Sequence, residues 1–243
     1  MAGPWPGRCE GAVSLSFDDG LASQLRLAVP ALERNGLCGT FYLNPRGEDA
    51  VERLQPWRAV AAAGHELGNH TVSHPCSRGF DFVPAGRGLE DLSLEELAAD
   101  LDLAEARLQA LDGAGARSFA YPCYQDSVGS GAGRRSYVPL VAARFVAGRA
   151  RGERPNAPGR CDLHHLWSTP VERCGGAELV GLCERAAAAG AWAILTLHGI
   201  DEGALAVQGG DLAEVCAHLG RHRERIWTAP VRDVAVAIGA WRA

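Results

Sequence analysis

The chain has 243 residues, 47% hydrophobic and 22% charged, with a formal net charge of −5, the composition of an ordinary globular domain rather than a disordered or fibrous one. The mild acidity leaves no basic footprint for nucleic acid, although all 24 basic residues are Arg. No run reaches the ~18 apolar residues a membrane helix needs, and Met1 to Arg8 lack the apolar centre of a secretion signal. A cytoplasmic location is therefore expected, with no nucleic-acid or membrane partner.

Eight cysteines (Cys9, Cys38, Cys76, Cys123, Cys161, Cys174, Cys183 and Cys216) form no CxxC pair, which argues against a structural zinc knuckle. In a reducing cytoplasm eight free thiols are expected, most of them packed as small apolar side chains.

Taken in chain order, Ala12 to Phe17 (AVSLSF) reads as a buried strand that stops at Asp18-Asp19-Gly20. Leu21 to Asn35 has helical spacing, with Leu25, Val29 and Leu32 on one face, and ends before Gly36. Cys38 to Asn44 is a second strand, Val51 to Ala63 a second helix, and His65 to Asn69 a third strand leading into His70. Gly79 to Leu92 is polar and Gly-rich and reads as a loop. The clearest helix is Leu94 to Leu111, opened by Ser93 with Glu96 three residues on. Ser118 to Tyr121 is a strand stopped by Pro122, and Gln125 to Arg135 a flexible Gly/Ser-rich loop without the Lys-Ser/Thr of a phosphate cradle. Phe145 to Ala150 and Leu166 to Val171 are weaker strands, flanking an irregular stretch in which His164-His165 reads as exposed loop. The last third runs helix (Glu178 to Ala189), strand (Trp192 to Leu197), helix (Leu212 to Leu219), strand (Ile226 to Thr228), helix (Val231 to Ile238). Alternating units predict a parallel sheet covered by helices. About seven or eight of them in one domain favour a closed barrel.

In such barrels the working residues sit where strands end. Asp18-Asp19, His70 with His74, and His198 each follow a different predicted strand. Two His four apart and one carboxylate give three ligands and leave a position for water, the pattern of a catalytic zinc site. A second carboxylate can take the proton of that water, and a distant His can protonate the leaving group. The assembly suits hydrolysis of an amide or ester. Each part alone has a plainer reading: DDG as a turn, HxxxH as accident, a strand-closing His as packing. Their joint placement at three strand ends outweighs those readings.

SFDDG (Ser16 to Gly20), HTVSH (His70 to His74), FAYPCY (Phe119 to Tyr124) and LTLHG (Leu195 to Gly199) resemble the ordered motifs of the polysaccharide deacetylase family, which includes chitin, peptidoglycan and acetylxylan deacetylases. The resemblance covers about residues 10–240 of a single domain spanning 1–243. It implies an α/β fold, a distorted (β/α) barrel of about seven or eight parallel strands. It also implies one divalent metal, usually zinc, with cobalt or nickel as alternatives. By position, Asp18 resembles the catalytic base, Asp19 the carboxylate ligand, His70 and His74 the imidazole ligands, and His198 the catalytic acid. The turn Tyr121-Pro122-Cys123 resembles the place where a backbone N–H, here that of Cys123, holds the oxyanion beside the substrate.

Three departures stand out. The third-motif Arg that pairs with the base is replaced by Ala120, and Arg149 is the candidate substitute, against a plain reading as a solvated surface residue. No Trp-bearing fourth motif is evident; Trp167 is read as a core residue or a lining of the acetyl pocket. Thr196 stands where relatives carry an apolar residue near the acetyl methyl, and implies a more polar or differently shaped acyl pocket.

The expected activity is metal-dependent removal of acetyl groups from N- or O-acetylated carbohydrates, with an acetylated oligosaccharide as substrate. Two alternatives stay open. One is hydrolysis of a non-carbohydrate amide of a small metabolite, which the lack of a secretion signal favours. The other is a catalytically silent sugar-binding barrel. A zinc protease is disfavoured, because HTVSH has no Glu beside its first His. Nothing in the sequence sets an oligomeric state.

Overall fold

Strand order explains why three distant sequence clusters meet on one rim. In the computed structural model, which describes residues 3–243, the first four strands of the sheet are β1 (Gly11–Asp18), β2 (Thr40–Leu43), β3 (Glu66–Asn69) and β4 (Ser118–Ala120). A separate antiparallel hairpin follows, β5 (Ser127–Val128) with β6 (Arg135–Ser136). The sheet resumes with β7 (Ala147–Arg149), β8 (Thr169–Pro170), β9 (Trp192–Leu197) and β10 (Ile226–Thr228).

The eight strands of the main sheet run in the order β7-β4-β3-β2-β1-β9-β8, with β10 also paired to β1. Every pairing in it is parallel, so all C-terminal ends share one face. A parallel bridge from Arg149 to Leu166, just before β8, brings the two open edges together. The result is a distorted (β/α) barrel of eight parallel strands.

β1 is buried at all 8 of its positions. Val13, Leu15 and Phe17 pack into the helix-covered cluster, while Ser14 and Ser16 on the other side donate to the carbonyls of Ala229 at 2.7 Å and Leu195 at 2.9 Å. Small hydroxyls there satisfy themselves without needing water. Gly68 of β3 is a close-approach position: a Cβ on it would lie 2.3 Å from Cδ1 of Tyr42.

The helices differ from expectation where backbone donors are missing. The predicted helix from Leu21 to Asn35 opens instead as a π-turn over Gln24–Ala28 and continues as α1 (Val29–Glu33). Pro30 supplies no N–H at the junction. The helix expected over Val51 to Ala63 is split into α2 (Ala50–Arg53) and α3 (Pro56–Ala62), with Pro56 opening the second piece. α4 (Leu94–Asp112) starts in a full capping box: Glu96 N–H donates to Ser93 Oγ at 3.1 Å and Ser93 N–H to Glu96 Oε2 at 2.8 Å. α5 (Val138–Ala142) is too short for a periodic signal and was not expected. α6 (Gly176–Ala188), α7 (Gly209–Arg221) and α8 (Val231–Arg242) complete the outer layer. No helix among the described residues is long and apolar enough to cross a membrane.

Three further expectations need correcting. The Gly/Ser-rich loop carries the β5–β6 hairpin. His164 and His165 are half-buried, with ring Nε2 atoms 3.2 Å from Phe145 O and Asp126 Oδ2 respectively. The eight thiols are not all free, because Cys76 and Cys123 form a disulfide with Cα atoms 5.7 Å apart. Sequence gave no sign of it, since the two lie 47 residues apart. Adjacent parallel pairing of β3 and β4 sends both following loops from the same rim, which brings them together. Closing a loop of that length removes about 4 kcal/mol of unfolded-chain entropy.

Candidate functional site

Asp18 is the last residue of β1, and Asp19 turns the chain over the rim with a left-handed φ of 73°. His70 and His74 follow β3 on a curved loop rather than a helix. That loop is held from several sides. Asn69 Oδ1 accepts from Thr71 N–H at 2.9 Å, and Thr71 Oγ1 accepts from His74 N–H at 2.8 Å. Asp100 of α4 accepts from Val72 N–H at 2.7 Å, while Asn44 donates to the His70 carbonyl at 2.5 Å.

The three side chains converge. Asp19 Oδ1 lies 3.8 Å from His70 Nε2 and 3.6 Å from His74 Nε2, too far for hydrogen bonds. Tetrahedral ligands at zinc bond lengths of about 2.1 Å stand about 3.4 Å apart, so the separations fit a shared cation. Tautomer agrees. His70 Nδ1 faces the Ala120 carbonyl at 2.8 Å; a carbonyl can only accept, so Nδ1 carries the proton and the Nε2 lone pair points at Asp19. Burial, with the neighbouring His74, pushes His70 well below the usual histidine range, and burial lowers His74 too. Both rings are therefore neutral near pH 7, the form that ligates. The donor set suits zinc, cobalt or nickel.

Asp18 sits beside this trio. Its Oδ2 accepts from Arg149 NH2 at 2.6 Å and lies 4.0 Å from His70 Nε2 and 3.9 Å from His198 Nε2. Arg149 is fully buried, not solvated. Register explains its reach: Ala120 on β4 pairs directly with Arg149 on β7, so a guanidinium from the neighbouring strand arrives over the same end of the barrel. Burial opposes its charge, but Asp18 outweighs that and keeps it protonated. Thr196 belongs to the same arrangement. Its Oγ1 accepts from Arg149 NH1 at 2.7 Å and lies 2.9 Å from Ser168 Oγ. Thr196 is thereby engaged with Arg149 and Ser168 inside the barrel end.

Gln24, buried in the π-turn, donates from Nε2 to the carbonyls of Asp18 at 2.5 Å and His198 at 3.0 Å. It ties the ends of β1 and β9 together. Asp18, Asp19, His70, His74 and His198 line a cavity of about 480 Å³, together with Phe80, Phe82, Tyr121, Cys123, Tyr124, Arg151, Glu172 and Leu205. Four buried polar atoms in its lining have no hydrogen-bond partner: Asp18 Oδ1, Tyr124 Oη, Glu172 Oε2 and His198 Nδ1. Unpaired buried polar atoms cost about 1–3 kcal/mol each, so their clustering marks a place for a ligand. Backbone strain gathers here as well: Asp19, Thr71, His74, Cys123 and Tyr124 all have positive φ without being glycine.

Sequence reasoning placed Asp18, Asp19, His70, His74, His198, Cys123, Tyr121 and Arg149 here, and the fold brings all eight together. Tyr121 lines the cavity, but its hydroxyl is spent on the His164 carbonyl at 2.7 Å. Trp167 lines neither the core nor this cavity. It is 38% exposed, with Arg154 4.9 Å from its ring centroid, at a separate cavity of about 570 Å³. That larger cavity has none of the unpartnered buried atoms in its lining, so volume alone is a poor guide to the chemistry. Gln24, Glu172, Arg151, the Phe80–Phe82 pair and Cys76 were not anticipated. For Gln24 a polar residue among apolar helix positions was a faint signal; for the others there was none.

Comparison with known proteins gives a family and a shared fold. Residues 7–128 match the family described as polysaccharide deacetylase. A gellan lyase from Bacillus sp is 26% identical over 175 residues, covering 72% of this chain but 6% of that protein; the chain thus spans a small part of its relative. Among solved structures, a Mycobacterium smegmatis protein named as a candidate polysaccharide deacetylase superposes with a TM-score of 0.68 at 16% identity, over 98% of this chain and 93% of that one. A family 4 acetyl xylan esterase from Clostridium thermocellum, in complex with cobalt, gives 0.56 at 14% identity over 93% and 90%. A family 4 carbohydrate esterase pseudoenzyme from Bacillus anthracis gives 0.55 at 15% identity over 95% and 66%. At these identities the structures speak for the shared fold.

Proposed function

This chain belongs to the polysaccharide deacetylase family, and we propose that it is a metal-dependent hydrolase that removes acetyl groups from N- or O-acetylated carbohydrates. The observation that carries this reading is the placement of Asp18 Oδ2 between Arg149 and His198, one residue from a trio with metal-ligand spacing. Asp19, His70 and His74 would hold the cation, zinc by the usual preference of such ligands and cobalt by analogy with the xylan esterase. When bound, it polarises the acetyl carbonyl and acidifies a water beside it.

The chain's own residues do the rest. Arg149 occupies Oδ2 of Asp18 and fixes the carboxylate, so Oδ1, without a protein partner, takes a proton from the attacking water. The Cys123 N–H at the cavity wall donates to the oxyanion as the carbonyl carbon becomes tetrahedral. His198 gives a proton to the leaving nitrogen or oxygen, and acetate and the free amine or alcohol remain. Arg151 and Glu172 offer charged partners for sugar hydroxyls.

The pseudoenzyme relative shows that this fold does not guarantee turnover. The complete set of acid, base and ligand side chains in one cavity favours an active enzyme here over a silent sugar-binding barrel. We place residues 10–240 in one domain, since one sheet holds β1 to β4 and β7 to β10. The Cys76–Cys123 bond favours an oxidising compartment over the cytoplasmic location expected from sequence.

Acetate release measured in parallel from chitooligosaccharides, acetylated xylooligosaccharides, N-acetylglucosamine and small acetamides tests the reading. Release from at least one carbohydrate is expected. Turnover of small amides alone would move the substrate to the metabolite class.

A further inference from the structure

The disulfide joins the two loops that the proposed reaction must keep in register. Cys76 lies two residues beyond His74, and the Cys76 side is anchored: Cys76 is 1% exposed and its carbonyl accepts from Leu89 N–H at 3.0 Å. Cys123 lies two residues beyond Tyr121, and its own amide is the one proposed above to donate to the oxyanion. That amide sits in a strained turn, with φ of 51° at Cys123 and 58° at Tyr124, two successive left-handed residues with no glycine. Such a turn persists only where its surroundings hold it. The Sγ of Cys76 is also 3.6 Å from His74 Nδ1, on the side of the ring away from Asp19. One covalent bond therefore reaches both the back of a proposed ligand and the turn that aims the oxyanion donor.

We propose that Cys76 is a positioning residue: through its bond to Cys123 it holds the Cys123 N–H at a fixed place relative to Asp19, His70 and His74, and opening the bond lowers kcat while the metal stays bound. The proposal rests on the deacetylase reading. The opening step is a thiol–disulfide exchange. A dithiol gives two hydrogens to the bond, yielding Cys76–SH and Cys123–SH, and is itself oxidised to a cyclic disulfide. A water-soluble phosphine achieves the same in the laboratory, taking its oxygen from one water and sparing the metal the chelation a dithiol brings.

The test uses the metal-loaded full chain before and after phosphine treatment, with Cys76→Ser alongside and Cys9→Ala as a control. Expected for the reduced enzyme are a kcat about tenfold lower, a KM within about twofold, and unchanged metal content. Cys76→Ser should match reduced wild type and ignore the phosphine, while Cys9→Ala should respond as wild type does. Affinity for methylphosphonate, a tetrahedral oxyanion mimic, is read by calorimetry on the same samples and should fall by a similar factor. Unchanged kcat and mimic affinity after reduction overturn the proposal. So does loss of metal in step with activity, which makes the bond a scaffold for the ligands rather than for the amide. If the oxidised enzyme releases no acetate from any substrate, the deacetylase reading fails instead, and mimic affinity still decides whether the bond positions the amide.

Discussion

Removing Arg149 leaves the Asp18 carboxylate buried without its cation. The pair is closed to solvent on both sides, with side-chain exposures of 0% for Arg149 and 5% for Asp18 at 2.6 Å. Breaking one partner of such a pair costs about 3–5 kcal/mol, because the survivor is a charge out of water. For a chain of this size each kcal/mol moves the melting temperature by about 2–4 °C, so Arg149→Met should melt about 6–20 °C lower. Adding Asp18→Asn to that background removes the stranded charge, and the double variant should melt above the single one. Register makes a further demand. Since Ala120 faces Arg149 across the β4–β7 ladder, Ala120→Arg combined with Arg149→Ala should recover part of the lost kcat, measured by acetate release. Thermal melts of the four proteins and kinetics of the Ala120 rescue are the assay. An Arg149→Met protein that melts within 2 °C of wild type and turns over normally would refute the idea that this ion pair sets the base.

Thr196→Val deprives Arg149 NH1 of its 2.7 Å acceptor and should cost about 1–3 kcal/mol by thermal melting, with lower kcat and little change in metal content. Thiol titration should read four cysteines in the native protein (Cys9, Cys38, Cys161, Cys174), two more on denaturation, and the last two only after reduction. The middle pair is inert because burial pushes the Cys183 and Cys216 thiols up to about 12; eight thiols without reductant would deny the disulfide. Gly68→Ala forces a methyl against the Tyr42 ring at 2.3 Å and should destabilise by about 1–3 kcal/mol in chemical denaturation, with no effect expected at an exposed glycine such as Gly86 beyond its φ. Chelation should lower the melting temperature, since a cation at about 100 times its dissociation constant adds about 2.7 kcal/mol; an unchanged melt argues against a bound metal.

Much of the barrel could be read in advance because its longest strands announce themselves. β9 begins and ends where its apolar run does, and β1 extends its run by a residue at each end; the three-residue β10 also keeps its expected bounds. β8 is different. Two residues, Thr169–Pro170, carry no periodicity, and what places them is pairing to β9 and the nearby Arg149–Leu166 bridge. The ligand trio was legible because strand ends and spacing coincide in one dimension. Arg149 was legible only as a candidate substitute for the third-motif Arg, because its contact with Asp18 depends on register with Ala120, which no local pattern records. The disulfide was misread for a similar reason. Compartment was inferred from the ends of the chain, whereas the bond follows from two loops leaving adjacent strands. Gln24 joins two strand ends from a π-turn, a contact that exists only after the barrel closes.

Acetate release by this reading requires a cation on Asp19, His70 and His74. Metal content by mass spectrometry, paired with acetate release from chitooligosaccharides, should be measured on wild type, Asp18→Asn, and His70→Ala with His74→Ala. Wild type should hold one divalent cation per chain and turn over, Asp18→Asn should hold one cation without turnover, and the double histidine variant should show neither. Acetate release that survives chelation, or a cation retained by the variant lacking both histidines, would contradict this reading.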